Sequence, residues 1–138
     1  MPHTLVFFMS RLPTLSHADF KHCLETQYIP LLKSIVGEEF PLSYTRHYID
    51  YEANPHGNIK AMEEGEAAFD AIGVLTFADK AHLERFSRRA GEGDNGGRLR
   101  ECKRSWMEVE AMRGWVVGET RSTGRDGKDV GWRFVGSV

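Results

Sequence analysis

The sequence predicts a single α+β domain, a four-stranded antiparallel sheet with its helices on one face, and three observations carry that prediction. At 138 residues the chain has the size of one domain. Runs rich in Val, Phe, Tyr and Ile are separated by two segments whose apolar residues recur three and four apart, and a capping residue opens each of these segments. A composition of 41% hydrophobic and 28% charged residues, with 8 Phe, 4 Tyr and 3 Trp, is that of a chain able to build a core.

Thr4 to Arg11 is apolar and stops at Leu12-Pro13-Thr14, as a first strand entering a turn does. Ser16 then caps a helix, and Asp19 places a carboxylate near its positive end. Phe20, Leu24, Tyr28, Leu31, Leu32 and Ile35 share one face of this helix, which ends near Gly37. Pro30 interrupts it. Its ring clashes with the carbonyl four residues back, so a kink or break is expected near Gln27 to Ile29.

Pro41 to Tyr51 alternates and reads as the second strand. Leu42, Tyr44, Arg46, Tyr48 and Asp50 share one side of it, and Ser43, Thr45, His47, Ile49 and Tyr51 the other. Ala53 to Gly65 reads as a surface loop, and Ala67 to Ala78 as a buried third strand containing Asp70. Asp79 caps a second helix bearing Leu83 and Phe86, Gly91 to Gly97 reads as a flexible loop, and Leu99 to Trp106 as a short helical stretch. Met107 to Thr120 reads as the last strand. The order is β-α-β-β-α-β, the split-βαβ or ferredoxin-like pattern, in a domain spanning residues 1–120. Residues 121–138 form a polar tail in which Trp132, Phe134 and Val135 can pack on a neighbour. The sheet face without helices needs a cover, and a second copy of the chain is the simplest one.

Composition also excludes partners. With 18 Lys and Arg against 20 Asp and Glu the net charge is −2, so no global field favours nucleic acid or an anionic membrane. Glu84 to Arg104 is locally basic, which either steers an anionic ligand or forms a solvated helix face. Cys23 and Cys102 make neither a disulfide framework nor a CxxC motif, so reduced thiols in a cytoplasmic protein are expected. The apolar run Leu5 to Met9 is far short of the roughly 20 residues that span a bilayer. Gly91 to Gly97 lacks the Lys-Ser/Thr ending of a phosphate loop, and Asp19, His22 and Cys23 make at most part of a metal site, so no metal, flavin or nicotinamide is expected.

The run Phe7 to Leu32 carries Arg11, Pro13, Ser16, Phe20 and the segment Glu25-Thr26-Gln27-Tyr28-Ile29-Pro30-Leu31. Together with Asp70 to Asp79, which ends Phe77-Ala78-Asp79, it resembles the EthD-domain family of dimeric α/β-barrel proteins. Phe40-Pro41-Leu42-Ser43-Tyr44-Thr45-Arg46-His47-Tyr48-Ile49 is similar to a fungal subgroup found with aromatic polyketide pathways and assigned as small decarboxylases of anthraquinone-type intermediates. The resemblance spans Thr4 to Thr120. It implies a homodimer and a cofactor-free reaction on an aromatic polyketide, foremost decarboxylation of an anthrone- or anthraquinone-type acid. Cyclisation, dehydration, isomerisation and non-catalytic binding are the alternatives. One position departs from the family, whose helix motif carries His two residues before the Pro where this chain has Tyr28, a phenol with an ordinary pKa of about 10.

The candidate site residues follow. His47, mid-strand, is the candidate for proton transfer, or else a hydrogen-bonded structural group. Tyr28 either hydrogen-bonds and protonates a substrate oxygen or is an aromatic core residue. Asp70, a carboxylate in an apolar strand, must be paired, hydrated or shifted in pKa, and serves either structure or substrate. Tyr44, Arg46, Asp50 and Trp106 are candidate substrate contacts. Arg46 is suited to a bidentate grip on a carboxylate, or to an ion pair with Asp50 or Asp70.

Overall fold

The structure, a computed structural model, describes residues 2–50, 52–53 and 69–128. Strand β1 (His3–Met9) leads into helix α1 (His17–Cys23), a π-helical segment Leu24–Tyr28 and helix α2 (Ile29–Val36). A 3-10 turn, Gly37–Glu39, follows. The remaining elements are β2 (Ser43–Tyr48), β3 (Ala71–Phe77), α3 (Lys80–Gly91), α4 (Asn95–Arg104), a second 3-10 turn, Val109–Ala111, and β4 (Arg113–Val116). The four strands form one antiparallel sheet in the order β2-β3-β1-β4, which is the ferredoxin-like arrangement the element order predicts. Among the described residues no helix is long and apolar enough to cross a membrane.

The expected caps are in place. Ser16 Oγ accepts from the Asp19 N–H at 3.1 Å, and Asp79 Oδ1 from the His82 N–H at 2.8 Å. His82 is buried, accepts the Ala78 N–H on Nδ1 and meets the Glu39 carbonyl through Nε2, so its imidazole ties β3 and α3 to the turn after α2. Pro30 acts as its chemistry requires. With the carbonyl four residues back obstructed, the chain widens by one residue per turn, and the Ile29 N–H bonds to the Leu24 carbonyl five residues earlier.

Three expectations are corrected. Gly91 to Gly97 is not one loop: α3 runs through Gly91 and α4 starts at Asn95. Asn95 Nδ2 bonds the Arg89 carbonyl at 2.9 Å, and Gly93 alone takes the left-handed backbone (φ 58°) that turns the chain. Buried Leu99 holds the new helix down, and packing overrides the weak helix propensity of Gly96 and Gly97. The last strand is much shorter than Met107 to Thr120, because fully buried Met107 bridges Arg11 and a 3-10 turn intervenes. Asp70 stands just before β3, not inside it. Tyr51, the loop residues 54–65, the first two residues of the expected third strand, and Trp132, Phe134 and Val135 lie outside the described residues.

Side-chain alternation gives the sheet two unlike faces. Phe7, Met9, Tyr44, Arg46, Tyr48, Ala71, Gly73 and Leu75 turn toward the helices, whereas Val6, Phe8, Thr45, His47, Ile72, Val74 and Trp115 turn away from them. The helix side holds two apolar clusters. One contains Met9, Phe20, Leu24, Trp106 and Met107, the other Leu32, Ile35, Val36 and Leu99, and Tyr28 touches both.

Candidate active site

Between these clusters the core is left unfilled. A cavity of about 370 Å3 is bounded by Phe7, Met9, Tyr44 and Leu75 of the sheet, Tyr28 of the π-helical segment, Leu32 of α2, Phe86 and Ser87 of α3, Leu99, Arg100 and Lys103 of α4, and Trp106, Met107 and Met112 beyond it. This volume is at the lower end of the range of small-molecule sites, and the walls have the mostly apolar, aromatic character of such sites.

The sheet floor is shaped by missing side chains. Phe7 lies directly opposite Gly73 on one neighbouring strand and Gly114 on the other. A Cβ on Gly114 would stand 2.5 Å from Phe7 Cδ1, and one on Gly73 would stand 3.0 Å from Tyr44 Cε1. Both rings therefore rest on bare backbone.

Each polar side chain on this cavity can donate a hydrogen bond, and the hydroxyls of Tyr28, Tyr44 and Ser87 can also accept one. Tyr28 sits where the π-helical segment ends, its ring edge-on to Trp106 with centroids 5.7 Å apart and the Lys103 Nζ 5.9 Å above its centre. Among the described residues neither the Tyr28 nor the Tyr44 hydroxyl meets a protein partner, and the Nε1–H of fully buried Trp106 finds no acceptor. Burial drives the Tyr28 phenol pKa well above its ordinary value and that of Tyr44 up to about 12, so both remain protonated at neutral pH. Burial lowers the pKa of Lys103, and nearby Arg100 adds to the effect.

Beside the cavity a salt bridge braces Tyr44. Arg46 grips Glu25 through Nε and a terminal nitrogen, the latter at 3.0 Å, while the Tyr48 hydroxyl donates to the same carboxylate. The Arg46 guanidinium lies 5.1 Å from the centre of the Tyr44 ring. Its hydrogen bonds hold the Glu25 carboxyl below its ordinary pKa.

Of the sequence candidates, the structure brings Tyr28, Tyr44 and Trp106 together on the cavity. It does not bring the others there. His47 is exposed on the opposite sheet face, paired across with Ile72, so the sheet separates it from Tyr28. Arg46 pairs with Glu25, not with Asp50 or Asp70, because the helix side of β2 faces the π-helical segment. Asp50 is exposed and accepts the backbone N–H groups of Glu52 and Ala53. Asp70 is buried and fastens the β1–α1 turn. Its Oδ2 accepts the Arg11 N–H at 2.7 Å, and Oδ1 lies 3.3 Å from His17 Nδ1 and 3.5 Å from Arg11 Nε. Among the described residues no three His, Cys, Asp or Glu side chains gather as a metal site, Asp19, His22 and Cys23 included.

Sequence reasoning held Lys103 and Arg100 only as members of a basic segment that either steers an anionic ligand or forms a solvated helix face, and it missed the glycine floor. The signal for the first two was present in the spacing, since Arg100, Lys103 and Trp106 recur every third residue and so share one side of a helix and its last turn.

Comparison with known structures agrees with this fold. An ethyl tert-butyl ether D (EthD) family protein from Bacillus halodurans aligns with 87% of this chain and 100% of its own, at 15% identity and a TM-score of 0.54. A DABB family protein with a ferredoxin-like fold from Mesorhizobium loti aligns with 86% of this chain and 97% of its own, at 11% identity and a TM-score of 0.50. HapK from Hahella chejuensis aligns with 88% of this chain and 99% of its own, at 11% identity and a TM-score of 0.53. These identities speak for the fold alone. None of the curated proteins compared matches the sequence. The EthD domain pattern matches residues 12–90, more than half of the chain and the stretch that supplies Tyr28, Tyr44 and Phe86, and the chain therefore belongs to the EthD domain family.

Proposed function

We propose that the protein is a cofactor-independent tailoring enzyme that binds a flat aromatic polyketide in the cavity and decarboxylates an anthrone- or anthraquinone-type carboxylic acid. The observation that supports this reading best is a wall that carries several hydrogen-bond donors and, among the described residues, no carboxylate or imidazole. Loss of CO2 from a β-keto carboxylate leaves the bonding electron pair in an enolate, and one proton then replaces the departed group; an ionised hydroxyaryl carboxylate is first protonated at the ring carbon that bears the carboxylate, so that CO2 leaves from the keto form and its electron pair restores the ring as a phenolate. Such a reaction needs hydrogen-bond donors for the developing oxyanion and an acid, but no base to start it. Tyr28 and Tyr44, held protonated by burial, are suited to the first task, and Lys103, whose pKa burial lowers, to the second.

Cyclisation, dehydration and isomerisation begin with removal of a proton from carbon. Among the described residues the cavity wall carries no carboxylate or imidazole for that step. Binding without turnover is the second reading, supported by the Tyr at position 28 where the family motif has His. Incubating the purified protein with carboxylated anthrones and reading products by mass separates these cases. A loss of 44 Da supports decarboxylation; a loss of 18 Da, or an unchanged mass with a new chromatographic peak, overturns it in favour of dehydration or isomerisation. An unaltered compound that co-elutes with the protein marks a binding protein.

A further inference from the structure

We propose that Lys103, with Arg100 one turn before it, anchors an anionic oxygen of the cavity's aromatic ligand, either a carboxylate or a phenolate. This deepens the preceding reading and rests on its assignment of the cavity to a flat aromatic compound.

Both cations line the cavity from one side of α4, and like charges three residues apart on a helix repel. Elsewhere in the molecule cations near carboxylates are paired: Arg11 with Asp70, Arg46 with Glu25, Arg85 with Glu39. Among the described residues Lys103 and Arg100 have no such partner, and the wall holds no Asp or Glu. The Lys103 ammonium is half-buried against the Tyr28 ring, where it has shed part of its hydration without gaining a counter-charge. Its lowered pKa is the electrostatic expression of that deficit. The Trp106 indole N–H is buried without an acceptor, and Tyr28 and Tyr44, whose hydroxyls have no protein partner among the described residues, line the same cavity. An aromatic ring bearing an ionised oxygen supplies both the acceptor and the missing charge. The plain alternative is a lysine whose stem merely covers Tyr28 while its head reaches for solvent.

Tryptophan quenching by three probes distinguishes the two. Anthraquinone-2-carboxylate and 2-hydroxyanthraquinone present a carboxylate and a phenolate, and anthraquinone-2-carboxamide is the neutral reference. In the wild type at least one ionisable probe should bind about 10-fold or more tighter than the carboxamide, as a charge-assisted hydrogen bond predicts. The tighter of the two names the oxygen, and a red shift of 2-hydroxyanthraquinone absorption on binding reports its ionised form. Lys103→Met keeps the stem over Tyr28 and should abolish this preference while leaving carboxamide affinity within about 2-fold, whereas Lys103→Arg should retain it. Arg100→Met should weaken it in part. Carboxamide binding as tight as that of both ionisable probes overturns the anchor and leaves the aromatic cavity standing. Loss of carboxamide binding in Lys103→Met overturns it too, by making the lysine structural, and failure of all three probes on the wild type removes the cavity assignment together with the anchor.

Discussion

Replacing Tyr28 by Phe removes one oxygen and little else. The ring contacts to Trp106 and Lys103, with centroid distances of 5.7 and 5.9 Å, involve the ring itself and survive the change. Because the hydroxyl has no protein partner among the described residues, its removal breaks no hydrogen bond in the folded protein. What it relieves is the cost of keeping a polar group out of bulk water, about 1–3 kcal/mol for a dry, unsatisfied group and less where cavity water reaches it. The expected result is unchanged stability or a gain of about 1 kcal/mol, which for a domain of this size raises Tm by about 4 °C at most. Function should move the other way. Loss of a donor to an anionic ligand oxygen costs about 1.5–3 kcal/mol, a weakening of roughly 10- to 100-fold, and loss of a donor to the developing oxyanion lowers turnover by about 100-fold or more. Calorimetric melting alongside titration with anthraquinone-2-carboxylate reads both effects. Destabilisation by more than about 2 kcal/mol with unchanged affinity would refute the reasoning, since the hydroxyl would then serve the fold.

Three further outcomes are expected. Phe8 and Trp115 pack edge to face at 5.6 Å on the helix-free sheet face, and Trp115 is 57% exposed. We propose that a second copy covers this face, so light scattering should return twice 15.7 kDa and Trp115→Glu should return one chain's mass with intact circular dichroism; a monomeric wild type at micromolar concentration removes the barrel dimer. Glu25 has a folded pKa below its ordinary 4.5, so the stability it adds is present above that value and fades as pH falls through the lowered pKa. The melting temperatures of wild type and Glu25→Gln should therefore differ at pH 7 and converge in acid, and a gap that persists at pH 2 would show that the ion pair is not its source. Turnover should survive dialysis against a strong chelator, whereas a loss restored by one specific metal would point to metal-assisted chemistry.

The fold was legible because its signals are local. Ser16 and Asp79 announce their helices through short-range hydrogen bonds, and the alternation along Tyr44 to Tyr48 separates the two sheet faces before any partner strand is known. Pro30 predicted a disturbance close to where the π-helical segment ends, though not its kind, since widening or breaking a helix depends on what packs against it. The site was less legible because it is a matter of which face meets which helix. Aromatic residues occupy both faces, so periodicity could not say whether His47 or Tyr44 looks into the cavity. Asp70 was rightly singled out as a buried carboxylate, but its partners, Arg11 and His17, are brought to it by the turn after β1 and lie more than fifty residues away in sequence. Lys103 was one base among several on a basic helix, and only the cavity behind it sets it apart.

The glycine-backed floor has a thermodynamic consequence. Rings that rest on main chain pinned by strand pairing cannot sink further into the sheet, so the floor cannot deepen to admit a thicker ligand. A flat guest laid against such a backed floor need not reshape it and so gives up little protein entropy. Its binding should show a negative heat-capacity change from the buried rings. A single methyl group added at position 114 would press on the Phe7 ring and narrow the slot, penalising thick or puckered ligands more than planar ones.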